Sequence, residues 1–180
     1  MGDWRDDYRA GTSVIWPKGE AEMEANRLRE VHDPESQRIC PAHITLTQPF
    51  LRTPDGDDLL RVAATLSQGE PFSLKVGPVE PFGTSSVLKF DVEPKSILES
   101  LRAKLHETGL FNLNLPFTDG FIPHMTISEH GLASGEEARR LAAEMNQRIR
   151  RFEFECTEVA YIRPNEAFEF SEIRLFPLGP

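Results

Sequence analysis

The sequence predicts an α+β protein of bilobal, pseudo-twofold design, with two mostly antiparallel sheets facing a central groove and helices outside. Three observations predict it. The pattern His-x-Thr occurs twice, as His43-Ile44-Thr45-Leu46 and His124-Met125-Thr126-Ile127, with the histidines 81 positions apart in 180 residues. Each copy follows a proline, Pro41 or Pro123, and lies in a short apolar run that reads as a strand. Each half of the chain also orders its elements alike: a helix, a motif strand, a second helix, then two strands.

Residues 12–16 are β-branched and aromatic and read as the first strand. Pro17 opens a helix over 18–31, with Met23, Leu28 and Val31 on its apolar face, and Asp33-Pro34 stops it. Residues 38–48 form the first motif strand. Residues 55–68 read as a helix with Leu59, Leu60, Val62, Ala63 and Leu66 inward. Residues 72–79 alternate as a strand, 81–84 turn, and 86–92 return as the next strand. In the second half, 94–108 is a helix with Ile97, Leu98, Leu101 and Leu105 along one face, ended by Gly109. Residues 112–115 loop to the second motif strand, 122–128. Ser134 caps a helix running to about Ile149, with Glu137 completing a capping box. Residues 152–162 and 168–176 form the terminal pair of strands. The whole chain, 1–180, is expected to be one domain of two lobes.

Apolar residues make up 39% of the chain and charged residues 27%, the balance of a globular domain that buries its own core. No apolar run reaches the ~18 residues of a membrane span. Residues 1–10 are charged and lack the apolar stretch of a secretory signal, so a cytoplasmic protein is expected. The net charge of −9 argues against a general binder of duplex DNA, whose affinity comes from neutralising phosphates. It leaves room for a small nucleotide or a strand end. The arginines at 139, 140, 148, 150 and 151 read as a solvated helix face. Cys40 and Cys156 are too few for a disulfide scaffold and read as buried thiols. Because Cys40 and His43 would face opposite sides of a strand, they are not expected to meet.

The motifs carry the chemistry. Alternation along a strand puts His43 and Thr45 on one face, and likewise His124 and Thr126, with apolar residues behind. A phosphodiester is cleaved by in-line attack with a base near the water and an acid near the leaving oxygen. Imidazole serves both tasks near neutral pH. The threonine hydroxyls can donate to non-bridging phosphate oxygens, where fixed donors contribute ~3 kcal/mol each to the barrier. Such a site requires neither a metal nor a cofactor, and its rate should follow a bell in pH.

The stretches Pro41-Ala42-His43-Ile44-Thr45-Leu46, with Pro49-Phe50 downstream, and Phe121-Ile122-Pro123-His124-Met125-Thr126-Ile127 resemble the two-histidine (2H) phosphoesterase superfamily. The branch of closest likeness is the 2′-5′ RNA ligase-like proteins, which include cyclic nucleotide phosphodiesterases. The likeness extends from the opening strand and helix before Asp33-Pro34 to the closing Phe176-Pro177-Leu178-Gly179. It implies a bilobal fold with both motifs lining a groove, and metal-independent opening of 2′,3′-cyclic phosphates or related 2′-5′ linkages. Carried over by position, His43 and His124 become the acid–base pair and Thr45 and Thr126 the phosphate clamps. The bacterial RNA ligase branch often has arginine directly before the second Pro-His; here that residue is Ile122, and Ser128-Glu129-His130 follows the motif. Both departures point from long RNA toward a small cyclic phosphate.

Further candidates are substrate-binding. Phe50, Phe82, Phe121 and Tyr161 are aromatic surfaces on which a base could stack. Ser85 and Ser86 are placed near the groove by position alone. His130 is a rim histidine in a loop before Gly131, and no metal is expected there because too few ligands converge. His32 and His106 end helices, where a cation meets the dipole favourably. The expected partner is a small nucleotide or RNA end bearing a cyclic phosphate, and the expected state a monomer. Alternatives are reversible 2′-5′ RNA ligation and a non-catalytic module that binds nucleotides or RNA ends.

Overall fold

Short alternating runs and helices with apolar residues every three or four positions build one curled sheet with helices packed on it. The computed structural model describes residues 4–116 and 118–179. The order is α1 (Trp4–Asp7), β1 (Thr12–Ile15), α2 (Glu20–His32), α3 (Pro34–Ile39), β2 (Ile44–Thr45), α4 (Gly56–Leu66), β3 (Phe72–Pro81), β4 (Leu88–Glu93), α5 (Lys95–His106), β5 (His124–Ser128), α6 (Gly135–Asn146), β6 (Phe152–Cys156), β7 (Glu158–Pro164) and β8 (Phe170–Pro177). Among the described residues the strands form one antiparallel sheet, ordered β6-β3-β4-β5-β2-β1-β7-β8.

The two sheets expected from the duplication are the halves β6-β3-β4-β5 and β2-β1-β7-β8. They are joined where the motif strands pair, with Ile44 opposite Met125. The two parts of the chain also exchange strands. From the first part, β3 and β4 pair with β6 and β5 of the second, and β1 pairs with β7. Behind the join, Ile44, Met125, Ile15 and Phe90 belong to a core that also holds Leu28, Val62, Leu98, Leu105 and Ala138.

The first motif strand is far shorter than 38–48. Asp33 and Pro34 begin a helix as well as end one: Asp33 Oδ1 accepts from the Ser36 amide at 3.2 Å, and Pro34 occupies the first helical turn, where its missing N–H costs nothing. Strand pairing is left to Ile44 and Thr45. Helix faces also differ in detail. On α2, Met23 and Val31 are exposed, and the inward stripe is Ala21, Ala25, Leu28 and Arg29. Leu60 and Ile97 point outward as well. Helix α6 stops at Asn146, whose side chain bonds both backbone groups of Val79, at 2.9 and 2.8 Å. At its start Ser134 Oγ accepts from Glu137 N, while Glu137 Oε2 reaches Ala133 N, one residue before the expected target. The 152–162 strand breaks at Thr157 into β6 and β7.

Candidate active site

Register alone assembles the site. With Ile44 opposite Met125 in an antiparallel pair, His43 lies across from Thr126 and Thr45 across from His124. The flanking strands extend these rows, because Val14 pairs with Thr45, Lys89 with Thr126 and Asp91 with His124. One row across the groove face therefore reads Trp16, His43, Thr126, Lys89, and the next Val14, Thr45, His124, Asp91. The motifs are adjacent on the floor of one groove, closer than the opposite walls that the sequence suggested. Ile44, Leu46, Met125 and Ile127 turn into the core beneath.

Both imidazoles are held in the same way. His43 Nδ1–H donates to the Pro41 carbonyl at 2.7 Å, and His124 Nδ1–H to the Ile122 carbonyl at 2.7 Å. A carbonyl only accepts, so Nδ1 carries the proton in each ring and Nε2 is the atom that titrates. Burial lowers both pKa values. For His43 burial is the main cause, pushing the pKa down to about 4; the Pro41 hydrogen bond opposes it, and Arg29 and His124 add to it. At His124 burial again dominates, the Ile122 carbonyl opposes it, and Lys89 lowers while Glu129 and Asp91 raise.

A groove of about 490 Å³ holds all four motif residues, together with Tyr8, Gln48, Phe82, Arg102, Phe121, Glu129 and His130. A smaller cavity of about 210 Å³ continues past His43 between β1, β7 and α3. Phe82 meets His124 edge-on with centroids 4.9 Å apart, and Trp16 meets His43 at 6.1 Å. The four motif side chains thus present two titrating nitrogens and two hydroxyls to one space, the set that phosphoryl transfer needs.

Not every expected residue is there. Phe50 is in the core, packed on Phe111 at 4.4 Å and Tyr161 at 5.1 Å, and forms no stacking platform. Tyr161 is buried too, its hydroxyl donating to Ala10 O at 3.0 Å. Ser86 is half-buried in the turn before β4 and does not line the groove, though its neighbour Val87 does. Ser85 Oγ is committed to Phe82 O within that turn. Phe82 and His130 do line the groove; His130 is an exposed rim residue 3.9 Å from Glu129. Cys40, expected to face away, lies with its sulfur 3.3 Å from His43 Nδ1, because it caps α3 instead of extending a strand. Burial pushes that thiol up to about 12. His106 serves as no cation: its Nε2 accepts from the Gln48 amide at 3.1 Å, so the ring is neutral. Among the described residues no three His, Cys, Asp or Glu side chains converge as a metal site would, and no helix is long and apolar enough to cross a membrane.

Two arginines escape a reading built on motifs. Arg29 donates from α2 to Thr126 O at 2.9 Å and Cys40 O at 3.1 Å, tying both motif segments together. Arg102 donates from α5 to Leu46 O at 2.9 Å and lies 4.3 Å from the Phe121 ring centroid. Each stands four residues after a buried position, Ala25 or Leu98, so helical spacing does place both inward.

With this geometry in view, the comparisons with known proteins decide the family. A family model described as the 2′-5′ RNA ligase superfamily matches residues 17–167. The chain belongs to that superfamily. A protein of Oceanobacillus iheyensis designated a candidate phosphoesterase is 33% identical over 122 residues, covering 64% of this chain and 68% of its own. Among solved structures, TT0787 of Thermus thermophilus superposes with a TM-score of 0.60 at 18% identity, covering 93% of this chain and 96% of that one. Escherichia coli LigT complexed with NADP+ gives 0.56 at 17% identity, covering 94% and 96%. LigT has also been solved with 3′-AMP and with ATP. At these identities the superpositions establish the fold that the superfamily members share.

Proposed function

We propose that the protein is a phosphodiesterase that hydrolyses 2′,3′-cyclic phosphates of nucleotides or RNA ends by paired-histidine catalysis, without metal or cofactor. The observation that carries this reading is the two-by-two block of His43, Thr126, Thr45 and His124 on one groove floor. One imidazole Nε2 takes a proton from water as its oxygen bonds to phosphorus. The bond to one ribose oxygen breaks, and that oxygen takes the proton of the other Nε2. Thr45 and Thr126 donate to the non-bridging oxygens as negative charge builds on them. Phe82, beside His124 and half-exposed in the groove, offers a face to the base.

Nucleotide-bound structures of LigT support a nucleotide as substrate class. The superfamily description supports a second reading, reversible 2′-5′ RNA ligation. The net charge of −9 and Ile122 in place of arginine favour a small substrate over long RNA. Retention of both histidines favours turnover over a purely binding module. The enzyme is taken to act as a cytoplasmic monomer, which size exclusion and fractionation would check.

The test is turnover of the four 2′,3′-cyclic mononucleotides in EDTA, with a ligation assay on paired RNA halves alongside. Hydrolysis to a monoester is expected, and His43→Ala or His124→Ala should each cut it by ~10²–10⁴-fold in a folded protein. No turnover of any of the four, or turnover only on adding metal, would sink the reading.

A further inference from the structure

The duplication makes the two histidines equivalent in position, yet the strands beside them differ in charge. On the β1 side the register puts Trp16 next to His43 and Val14 next to Thr45. On the β4 side the equivalent positions hold Asp91 next to His124 and Lys89 next to Thr126. An indole and an isopropyl group thus stand where the other half has a carboxylate and an ammonium. Trp16 is fixed by its Nε1–H donating to Glu172 at 2.9 Å. Lys89 is buried, ion-paired to Glu80 at 2.6 Å and 3.7 Å from Asp91 Oδ1. Asp91 Oδ1 is buried between two ammonium groups, 3.2 Å from Lys95 Nζ and 3.7 Å from Lys89 Nζ.

We propose that Asp91 is a positioning residue that breaks the equivalence of the two histidines, making His124 the imidazole that enters the reaction protonated and His43 the one that enters as base. The proposal rests on the reading of the pair as acid and base. The charges facing His124 are Asp91 and Lys89 from β4, Glu129 just after β5, and His43 on β2, with the Phe82 ring edge-on. Those facing His43 are Arg29 from α2 and His124, with the neutral Cys40 thiol and Trp16, while Glu129 lines the cavity beside it and acts on Arg29 and Cys40. At His124 two carboxylates, Glu129 and Asp91, thus stand against the one ammonium of Lys89, whereas the charges that act on His43, Arg29 and His124, both oppose its protonation. The protonated form is therefore less disfavoured at His124 than at His43, in line with the stronger downward push on His43. In the cyclic phosphodiester reaction His43 Nε2 removes the proton from water, and the leaving ribose oxygen takes the proton from His124 Nε2. Solvent then resets both rings.

The experiment combines ring-proton NMR titration of both histidines in the free protein with the pH profile of kcat/KM for a 2′,3′-cyclic nucleotide. Wild type, Asp91→Asn and Lys89→Met are compared. His124 should titrate above His43 in wild type. Asp91→Asn should lower the His124 midpoint by about half a unit to one unit and move the alkaline limb of the profile down, leaving the acid limb in place. Lys89→Met should move the same midpoint and limb upward, a response of opposite sign that a merely structural role would not give, and it carries the test should Asp91→Asn fail to fold. His43 titrating above His124, movement of the acid limb alone, or no movement in either variant would overturn the proposal. Absence of turnover in wild type would overturn the phosphodiesterase reading, and the titration then decides the Asp91 proposal by itself.

Discussion

His106 shows how one imidazole can be committed to the backbone while two others face the groove. Its Nε2 accepts the Gln48 amide, and Gln48 in turn holds the groove loop by donating to Thr118 Oγ1 at 2.9 Å and Pro116 O at 3.2 Å. Burial, with Arg102 nearby, pushes the His106 pKa down to about 4 from an ordinary 6.5. Between those values the unfolded chain binds the proton and the folded chain does not. The contribution is therefore complete above about pH 6.5 and is lost as pH falls toward 4. His43, also pushed to about 4, acts in the same direction. The thermal midpoint of wild type should drop between pH 7 and pH 4.5. His106→Ala should cost ~1–3 kcal/mol at pH 7 by leaving the Gln48 amide without its acceptor, and should flatten that pH dependence. A variant with an unchanged slope would remove His106 from the account. The residue scale is legible where a strand face decides and illegible where a distant backbone group does. The pattern of His43, Thr45, His124 and Thr126 lies open in two short strings. That Gln48 N–H would need His106, or Thr126 O would need Arg29, depends on partners 58 and 97 residues away.

Among the elements, the α2–α3 junction bears most directly on the site. In sequence Asp33 reads as a stop signal, because a proline disfavours helix in the residue before it. It is also a bracket: Oδ1 caps α3 at the Ser36 amide, while Oδ2 accepts from the amides of Glu129 at 2.7 Å and His130 at 3.0 Å. Burial would raise this carboxyl's pKa, but the three amides outweigh it and hold the group below its ordinary value. Beside it Gly131 packs so tightly that a Cβ would stand 1.7 Å from His32 O. The loop leaving the second motif is thereby fastened to the helices leading into the first. Asp33→Ala should destabilise the protein by ~1–3 kcal/mol, one cap plus two part-buried amides left without their acceptor, measured by denaturant unfolding. Amide exchange of Glu129 and His130 should rise more than that of the β3–β4 pair. Uniform acceleration across the sheet would show a general loss of stability in place of a local release. Strand length is illegible at this same place: apolar content reads the same in an α3 turn as in a strand, and only the contacts of Asp33 decide between them.

At the scale of the whole molecule, the join at Ile44 and Met125 does two things at once. It sets the register that brings His43 to Thr126 and Thr45 to His124, and it lies in a core shared by both halves of the sheet. The duplication and its α+β class are legible because both copies of the motif keep their spacing and flanks. The fusion of two expected sheets into one is not, since a two-residue strand leaves almost no periodic signal. Strand exchange, β3 with β6, β4 with β5 and β1 with β7, means that neither part of the chain can complete its own half-sheet. The halves should therefore unfold together, with far-UV circular dichroism and tryptophan fluorescence giving one coincident transition. Ile44→Ala removes buried methyl groups at the join and should cost ~2–5 kcal/mol. Because the join is shared, both signals should shift together, and turnover of a cyclic phosphate should fall as register loosens. A biphasic curve in Ile44→Ala, with the Trp16 signal lost before the rest of the sheet, would mean that the halves are separable and that the groove floor is an interface between two units.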